Sequence, residues 1–440
     1  MRFVFVLSLS VCAAVASAQS SSWSLRACID YALDHNITLR QQENTTRSQR
    51  VQLDDSRSNH LPTVDASASQ NFSFGRGLTA HNTYENTNTS STSFSLGASV
   101  PVFHGNRIVN SVRLARLNLD ASLADLEKAK DDIRVQVAKA YVQILYDMEV
   151  VDVARSQVSI DSMQVVRLEA MLREGTASPA QLSQQKASLA QSRLTATNAD
   201  NNYRLSLLDL SQLLELPSPE GFAIVRPDVS GLMTAASALP LPDAVYAEAL
   251  GIKPQVRAEE LRLAGSEYNI RIARGDYFPS LSFSAGIGSN YYKTSGFDAD
   301  GFAKQMKNNF SQYLGVNLTV PVFNRFSTRN KIRSAKIERE NQQLRLDNTK
   351  KALYKEIQQV YYNAVASEAR YESCSEAVKS NEDAFALMKA KYENGRATMT
   401  EFNEQKNYYL KAQSELVQAR YEYLYQMALL DFYRGRELTF

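Results

Sequence analysis

The run Phe94-Ser95-Leu96-Gly97-Ala98-Ser99-Val100-Pro101-Val102-Phe103 sets an apolar side chain at every second position from Phe94 to Val102. That is the period of a strand with one apolar face. Its last four residues return 220 positions later as Val320-Pro321-Val322-Phe323. The same offset carries Tyr141 to Tyr361, Gly175 to Gly395, and Gln185-Lys186 to Gln405-Lys406. Upstream the copies align three residues out of step: Leu61-Pro62 answers Phe278-Pro279, and Ala32-Leu33 answers Ala249-Leu250. Two long copies of one unit build a pseudo-symmetric object rather than a single asymmetric pocket.

The alternation recurs in Val64, Ala66, Ala68, Phe72 and Phe74, in Leu281, Phe283, Ala285 and Ile287, and in Leu314, Val316, Leu318, Val320 and Val322. Four strands are therefore expected, at about 62–78, 92–103, 279–292 and 311–323. Segments of about 10 residues cross a bilayer when tilted. Phe103, Phe278 and Phe323 lie near one set of ends, and Phe72, Phe74, Phe94 and Tyr291 near the other. That placement suits interfacial girdles, although aromatics also favour ordinary strands. Open sheet edges are not tolerated in lipid, so four strands would need oligomerisation, and three chains would supply 12 strands. A soluble four-stranded sheet over a helical core is the alternative. The Asn/Thr/Ser-rich stretches 81–91 and 293–312 read as exposed strand-tip loops.

Neither glycine nor proline interrupts the chain between Gly105 and Gly175, or between Pro321 and Gly395. An unbroken helix of such length would run on the order of 100 Å. Apolar residues recur at three- and four-residue steps: Ile133, Val137, Ala140, Ile144 and Met148, then Leu353, Ile357, Val360 and Ala364. Helices this long imply coiled-coil packing. Each ends at a glycine turn, about 173–178 and 393–398, and restarts at a capping box, Ser178-Pro179-Ala180-Gln181 or Thr398-Met399-Thr400-Glu401. Returning helices follow at about 180–216 and 399–434, and two shorter helices, about 24–60 and 255–277, complete the set. Residues 216–242 hold five of the 11 prolines and read as an irregular linker. The organisation is thus a first repeat over 19–215, the linker, and a second repeat over 243–440.

Met1-Arg2, the apolar run Phe3 to Val15 and Ala16-Ser17-Ala18 read as a secretory signal peptide, residues 1–18. A lipoprotein signal ending at Cys12 is the alternative, opposed by the bulky Val11 before it. Cys28 and Cys374 then remain, too few for a disulfide framework, and a buried thiol suits each. With 22% charged residues and a net charge of +2, nothing marks disorder or a nucleic-acid surface. No mature segment approaches the ~18 consecutive apolar residues of a spanning helix. There is no phosphate loop, nucleophile elbow or metal-ligand spacing, and His35, His60, His81 and His104 are scattered. Basic residues interleave with acids as on solvated helix faces. No enzyme, cofactor or metal site is expected.

Signal peptide, twofold repeat, paired strands and paired long helices with glycine tips together resemble the TolC-like outer-membrane efflux and secretion channels. Trp23 through Asn36 looks like that family's first helix, and Gly395 through Phe402 like its tip signature. The resemblance covers nearly the whole mature chain. It implies an α+β membrane protein: a homotrimer with a 12-stranded β-barrel in outer-membrane lipid, continued by a 12-helix α-barrel across the periplasm. Implied partners are a periplasmic adaptor protein and an inner-membrane pump of the RND or ABC type, which would supply the energy.

Three sets of residues acquire roles from the resemblance. The tip turns at Gly175 and Thr176, and at Gly395 and Thr398, look like adaptor-docking clefts, since glycine permits close backbone approach. A plain helix-terminating turn accounts for the same glycines. Glu401 and Glu404 stand where the family places acidic rings at the periplasmic entrance, which would favour cations. A capping role for Glu401 and a solvated face for Glu404 are the plainer readings. Crowding of these carboxylates would raise some of their pKa values. Tyr392 matches the tyrosine of the family's closed tip, but Ala397 stands where an arginine is expected, with Arg396 one residue earlier, and Gln181 replaces an acid. A tip gate through Tyr392, Arg396 and Gln181 would be weaker than a charged one. Phe440 follows a helix, so it is no terminal barrel aromatic. The competing reading is an exported soluble coiled-coil scaffold or adaptor.

Overall fold

The computed structural model describes residues 22–78, 82–228 and 239–438. The expected signal peptide, Cys12, His81, Phe440 and part of the linker lie outside the described residues. In chain order the elements are β1 (Ser22–Trp23), α1 (Leu25–His35), α2 (Ile37–Ser58), β2 (Thr63–Leu78), β3 (Tyr84–His104), α3 (Arg107–Arg173), α4 (Pro179–Leu213), β4 (Ala223–Ile224), α5 (Pro242–Ile252), α6 (Pro254–Gly275), β5 (Ser280–Thr294), α7 (Phe302–Asn308), β6 (Ser311–Thr319), α8 (Ser327–Glu393) and α9 (Met399–Tyr433). The fold is α+β. The 67-residue helices α3 and α8, and the 35-residue helices α4 and α9, begin and end at an offset of 220. No described helix is long and apolar enough to cross a membrane.

The chain divides into two compact units. One gathers Gln42–Glu127 and Pro254–Lys351, and it holds the antiparallel sheet β2-β3-β5-β6. Register puts Val64, Ala66, Ala68, Phe72 and Phe74 on one face with Leu96, Phe94, Phe283, Ile287, Leu314 and Val316. Thr63, Asp65, Ser67, Ser69, Ser95, Ser93, Ser284 and Asn317 line the other. The apolar face is uncovered: Phe74 is 75% exposed and Leu314 78%. A soluble antiparallel sheet buries such a face on a core, and among the described residues no core covers this one, which α7 touches at Ser289 and Tyr291. Among the described residues, the outer edges of β2 and β6 also lack a strand partner. Below the sheet, Asp276 joins three elements through Arg107 (2.6 Å) and Lys331 (2.9 Å), at the end of α6 and the starts of α3 and α8.

Three details of this unit depart from expectation. β3 begins at Tyr84, because residues 84–90 find partners on β2 from Leu78 to Phe72. β6 stops at Thr319, since Val320 to Phe323 lie past the last paired residue and Pro321 has no N–H to donate. The stretch 293–312 contains helix α7. Its Gln305 side chain accepts from the Tyr292 N–H and donates to the Tyr292 carbonyl, both at 3.0 Å. That amide stands in for a strand residue along β5, where β6 has not yet begun.

The second unit gathers Met1–Gln41, Lys128–Lys253 and Ala352–Phe440. Its core includes Cys28, Ala32, Val137, Ile144, Leu145, Leu210, Leu214, Ala364 and Leu430. β1 and β4 pair in parallel, and the Tyr141 hydroxyl donates to the Val225 carbonyl (2.6 Å) beside them. Cys28 and Cys374 are free thiols, and burial pushes Cys28 up to about 12.

The expected helix 24–60 is broken in two, whereas the expected helix 255–277 is found as α6 and is preceded by a further helix, α5. Asn36 ends α1 with its N–H on the Ala32 carbonyl, while its side-chain oxygen accepts from the N–H of Thr38 (2.9 Å) and caps α2. Lys253 ends α5 with its N–H on the Ala249 carbonyl. Its buried ammonium lies 3.7 Å from the Phe432 ring centroid and 3.5 Å from Asp131. Asn36 and Lys253 are equivalent positions of the repeat.

Candidate functional site

The helix-hairpin tips carry every residue singled out above. α3 and α8 end alike: Gly175 (φ +72°) and Gly395 (φ +68°) take the left-handed conformation. The next N–H groups, of Thr176 and Arg396, return to the carbonyls of Met171 (2.9 Å) and Lys391 (2.8 Å). This is the glycine-terminated turn that satisfies the last helical carbonyls. Apart from the glycine and its two chain neighbours, no atom lies within 4 Å of where a Cβ would sit at either position. The backbone is bare on that side. The Thr176 hydroxyl donates to the Met171 carbonyl at 3.0 Å.

Both returning helices start with complete capping boxes, Ser178 with Gln181 and Thr398 with Glu401. Glu401 accepts from the Thr398 N–H and hydroxyl, each at 2.7 Å. Those hydrogen bonds, the backbone one foremost, hold the Glu401 pKa below its ordinary value. Within one chain the direction is opposite to that expected from crowding, because the helix start solvates the ionised form. Glu404 accepts from the Tyr408 hydroxyl at 3.2 Å. Both carboxylates are exposed.

Tyr392 meets neither Arg396 nor Gln181 in the described contacts. Its ring stacks on Phe402 (4.9 Å between centroids), and the Arg167 guanidinium of α3 lies 5.4 Å from its centroid. Arg167 also donates to the Glu393 carbonyl at 2.9 Å, tying the end of α8 to α3. Phe385 touches both Phe402 (5.6 Å) and Tyr409 (5.5 Å), making an aromatic ladder behind the tip. Burial raises the Tyr392 pKa, and Arg167 partly opposes that. Gln181 is engaged in its capping box, and Arg396 is exposed.

Sequence reading missed the centre of this region. Asp161 and Lys406 are 0% and 1% exposed and form an ion pair between α3 and α9. Gln185 donates to Asp161 (3.0 Å), Ser192 bonds its second oxygen, and Asn403 donates to Gln185 (3.4 Å). Lys406 is therefore not on a solvated face. A signal was present: Met399, Phe402, Lys406 and Leu410 share one helical stripe, and the other three are buried and apolar. Arg167 had no such signal, since only the packing of α3 on α8 brings it to Tyr392.

The family model of outer membrane efflux proteins matches residues 28–215 and 245–436, one segment for each copy of the repeat. The pyoverdine export outer membrane protein OpmQ of Pseudomonas putida is 24% identical over 72% of this chain and 64% of its own length. The chain spans 39% to 64% of the length of the first three curated relatives it matches. Among solved structures, a Pseudomonas aeruginosa membrane protein superposes with a TM-score of 0.77 at 19% identity, covering 93% of this chain and 92% of that one. The Campylobacter jejuni CmeC outer membrane channel gives 0.75 at 18% identity, over 94% and 87%. These likenesses establish the TolC-like fold, and the family model places the protein in the outer membrane. The chain belongs to the outer membrane efflux protein family.

Proposed function

We propose that the chain, after removal of residues 1–18, is the exit duct of a tripartite efflux or secretion system. Three copies would close a barrel of 12 strands, four from each, with 12 helices walling the passage below. The observation that carries this reading is the sheet with one uncovered apolar face, one polar face and two unpartnered edges. Lipid suits the first face, a water-filled lumen the second, and neighbouring copies the edges. A soluble scaffold would leave all three unsatisfied. The relative OpmQ is a pyoverdine export outer membrane protein, which fits an export duct.

The duct is passive: solute is delivered by an inner-membrane pump of the RND or ABC type through a periplasmic adaptor. Glu401 and Glu404 face the entrance and repel anions; Gly175, Thr176, Gly395 and Thr398 offer bare backbone to the adaptor. Tyr392 closes the tip, with Arg167 as its cationic partner in place of the missing arginine at Ala397; Arg396 and Gln181 take part in the neighbouring turns. Reconstitution in planar bilayers tests the whole. Cation-selective pores are expected, with selectivity reduced by the pair Glu401→Gln and Glu404→Gln. A detergent-free soluble monomer would sink the duct; pores with unaltered selectivity in the pair would sink only the entrance ring. Gly395→Trp should leave pores intact while abolishing export in cells, and normal export would remove the docking role.

A further inference from the structure

Asp65, Gly97, Gly286 and Tyr313 form one row across all four strands of the polar sheet face, each paired with the next. The Tyr313 ring lies down along this row. A Cβ on Gly286 would be 2.6 Å from Tyr313 Cε1 and 2.8 Å from Cζ, and one on Gly97 would be 3.7 Å from the hydroxyl oxygen. The ring thus reaches from β6 across β5 to β3, with glycine backbone beneath one face. Two side-chain-free positions, paired with each other, make the bed. The opposite face is open, and the residue is 58% exposed.

Asp65 stands one strand beyond the tyrosine hydroxyl, directly opposite Gly97, at a spacing of about 5 Å between Cα atoms. Two pairs of serine hydroxyls on this face bond each other: Ser67 with Ser95 and Ser69 with Ser93, both at 2.7 Å. Among the paired positions of the polar face, Asp65 and Glu85 are the charged residues, and neither lysine nor arginine occurs. The row therefore combines an open aromatic face with a carboxylate at its end, in a setting of uncharged small groups.

We infer that this row is a binding level for organic cations, those carrying a quaternary ammonium or comparable cationic group of a size to lie on a phenol ring. The ring quadrupole attracts the cation from above, and the carboxylate adds long-range attraction and orientation. An anion of the same shape finds no donor or positive charge here. The level adds a filter to the duct proposed above and rests on that reading for the solute's route, while binding itself is a property of the sheet.

The test uses the full-length protein and benzyltrimethylammonium, with benzenesulfonate as its anionic counterpart. In planar bilayers, benzyltrimethylammonium should block the current in a concentration-dependent manner and benzenesulfonate should not. Tyr313→Leu should raise the half-blocking concentration about 2- to 5-fold, the worth of an exposed cation–aromatic contact. Tyr313→Phe should keep the wild-type value, and Asp65→Asn should raise it about 2-fold. Gly286→Val, which lifts the ring from its bed without removing it, is the second route should Tyr313→Leu assemble poorly. It too should weaken the block. Saturation-transfer NMR with protein in detergent reads binding independently of conduction. No pore, with transfer to benzyltrimethylammonium lost in Tyr313→Leu, would overturn the duct and leave the site standing. Pores whose block and transfer are unchanged in Tyr313→Leu, Gly286→Val and Asp65→Asn would overturn the site and leave the duct.

Discussion

The two hairpin tips share a backbone and differ in nearly every side chain that packs behind it. α3 and α4 repeat as α8 and α9 without a one-residue slip, and both tips have the same glycine turn and capping box. Yet Leu172, Val165, Leu182 and Leu189 of the first become Tyr392, Phe385, Phe402 and Tyr409 of the second. Gln181 becomes Glu401. Lys186 sits outside on Glu169 (2.8 Å), whereas its counterpart Lys406 is buried on Asp161. Asn381, the counterpart of Asp161, accepts only a weak bond from Gln405 (3.4 Å). Backbone geometry at a helix end is set by a few local residues and survives divergence. Polarity behind it is set by what each hairpin faces, and there the copies have parted.

The largest predicted effect separates the two lysines. Lys406→Met leaves Asp161 buried and unpaired, which should cost about 3–5 kcal/mol. Lys186→Met removes an exposed pair and should cost less than about 1 kcal/mol. Thermal unfolding followed by circular dichroism in detergent compares them, and equal losses would break the contrast. The double variant Lys406→Met with Asp161→Leu should be more stable than Lys406→Met alone, because no lone charge remains inside. Next comes the aromatic ladder. Phe402→Ala should cost about 3–5 kcal/mol, since Phe402 is 1% exposed and touches Tyr392 and Phe385. Leu182→Ala, at the half-buried counterpart, should cost clearly less.

Much of this organisation was legible in the residues. Glycine turns, capping boxes and period-2 runs are local codes, so the tips, the four strands and the offset of 220 could be read directly. The helix break at Asn36 could not, nor could the burial of Lys253. Asn36 can bond its own neighbours in almost any setting, and Lys253 reads as a surface residue until Asp131 and Phe432 enclose it. Likewise the residues 84–91 look like a loop, being polar throughout, and become strand only because β2 is there to pair them. Arg167 and Asp161 belong to the same class. Each acquires its role from a helix distant in sequence, and no window of one helix contains that information. The bed of Tyr313 is a third case: Gly97 and Gly286 are ordinary strand glycines until the register sets them side by side.

Smaller effects probe the caps. Ser178→Ala and Thr398→Ala should each cost about 1 kcal/mol locally, and hydrogen exchange at residues 179–182 and 399–402 reads each tip separately. These two losses should match at neutral pH because the boxes match.

Acid should make them diverge. Glu401 has its folded pKa depressed, so its contribution is complete above the ordinary carboxylate value and is lost as pH falls through the folded one. Protection at 399–402 should therefore drop on acidification below about pH 4.5, while protection at 179–182 stays level, since Gln181 does not titrate. The smallest and most discriminating change is Gln181→Glu. Its new carboxylate would sit at the third position of α4, facing the same Ser178 N–H that the Gln181 side chain now engages. At neutral pH it should add about 0.3–1 kcal/mol through the unpaired N–H groups of the helix start. It should also transfer the acid sensitivity of the second tip to the first. If protection at 179–182 stays independent of pH in Gln181→Glu, the difference between the tips lies in their packing and not in the single charge at the cap.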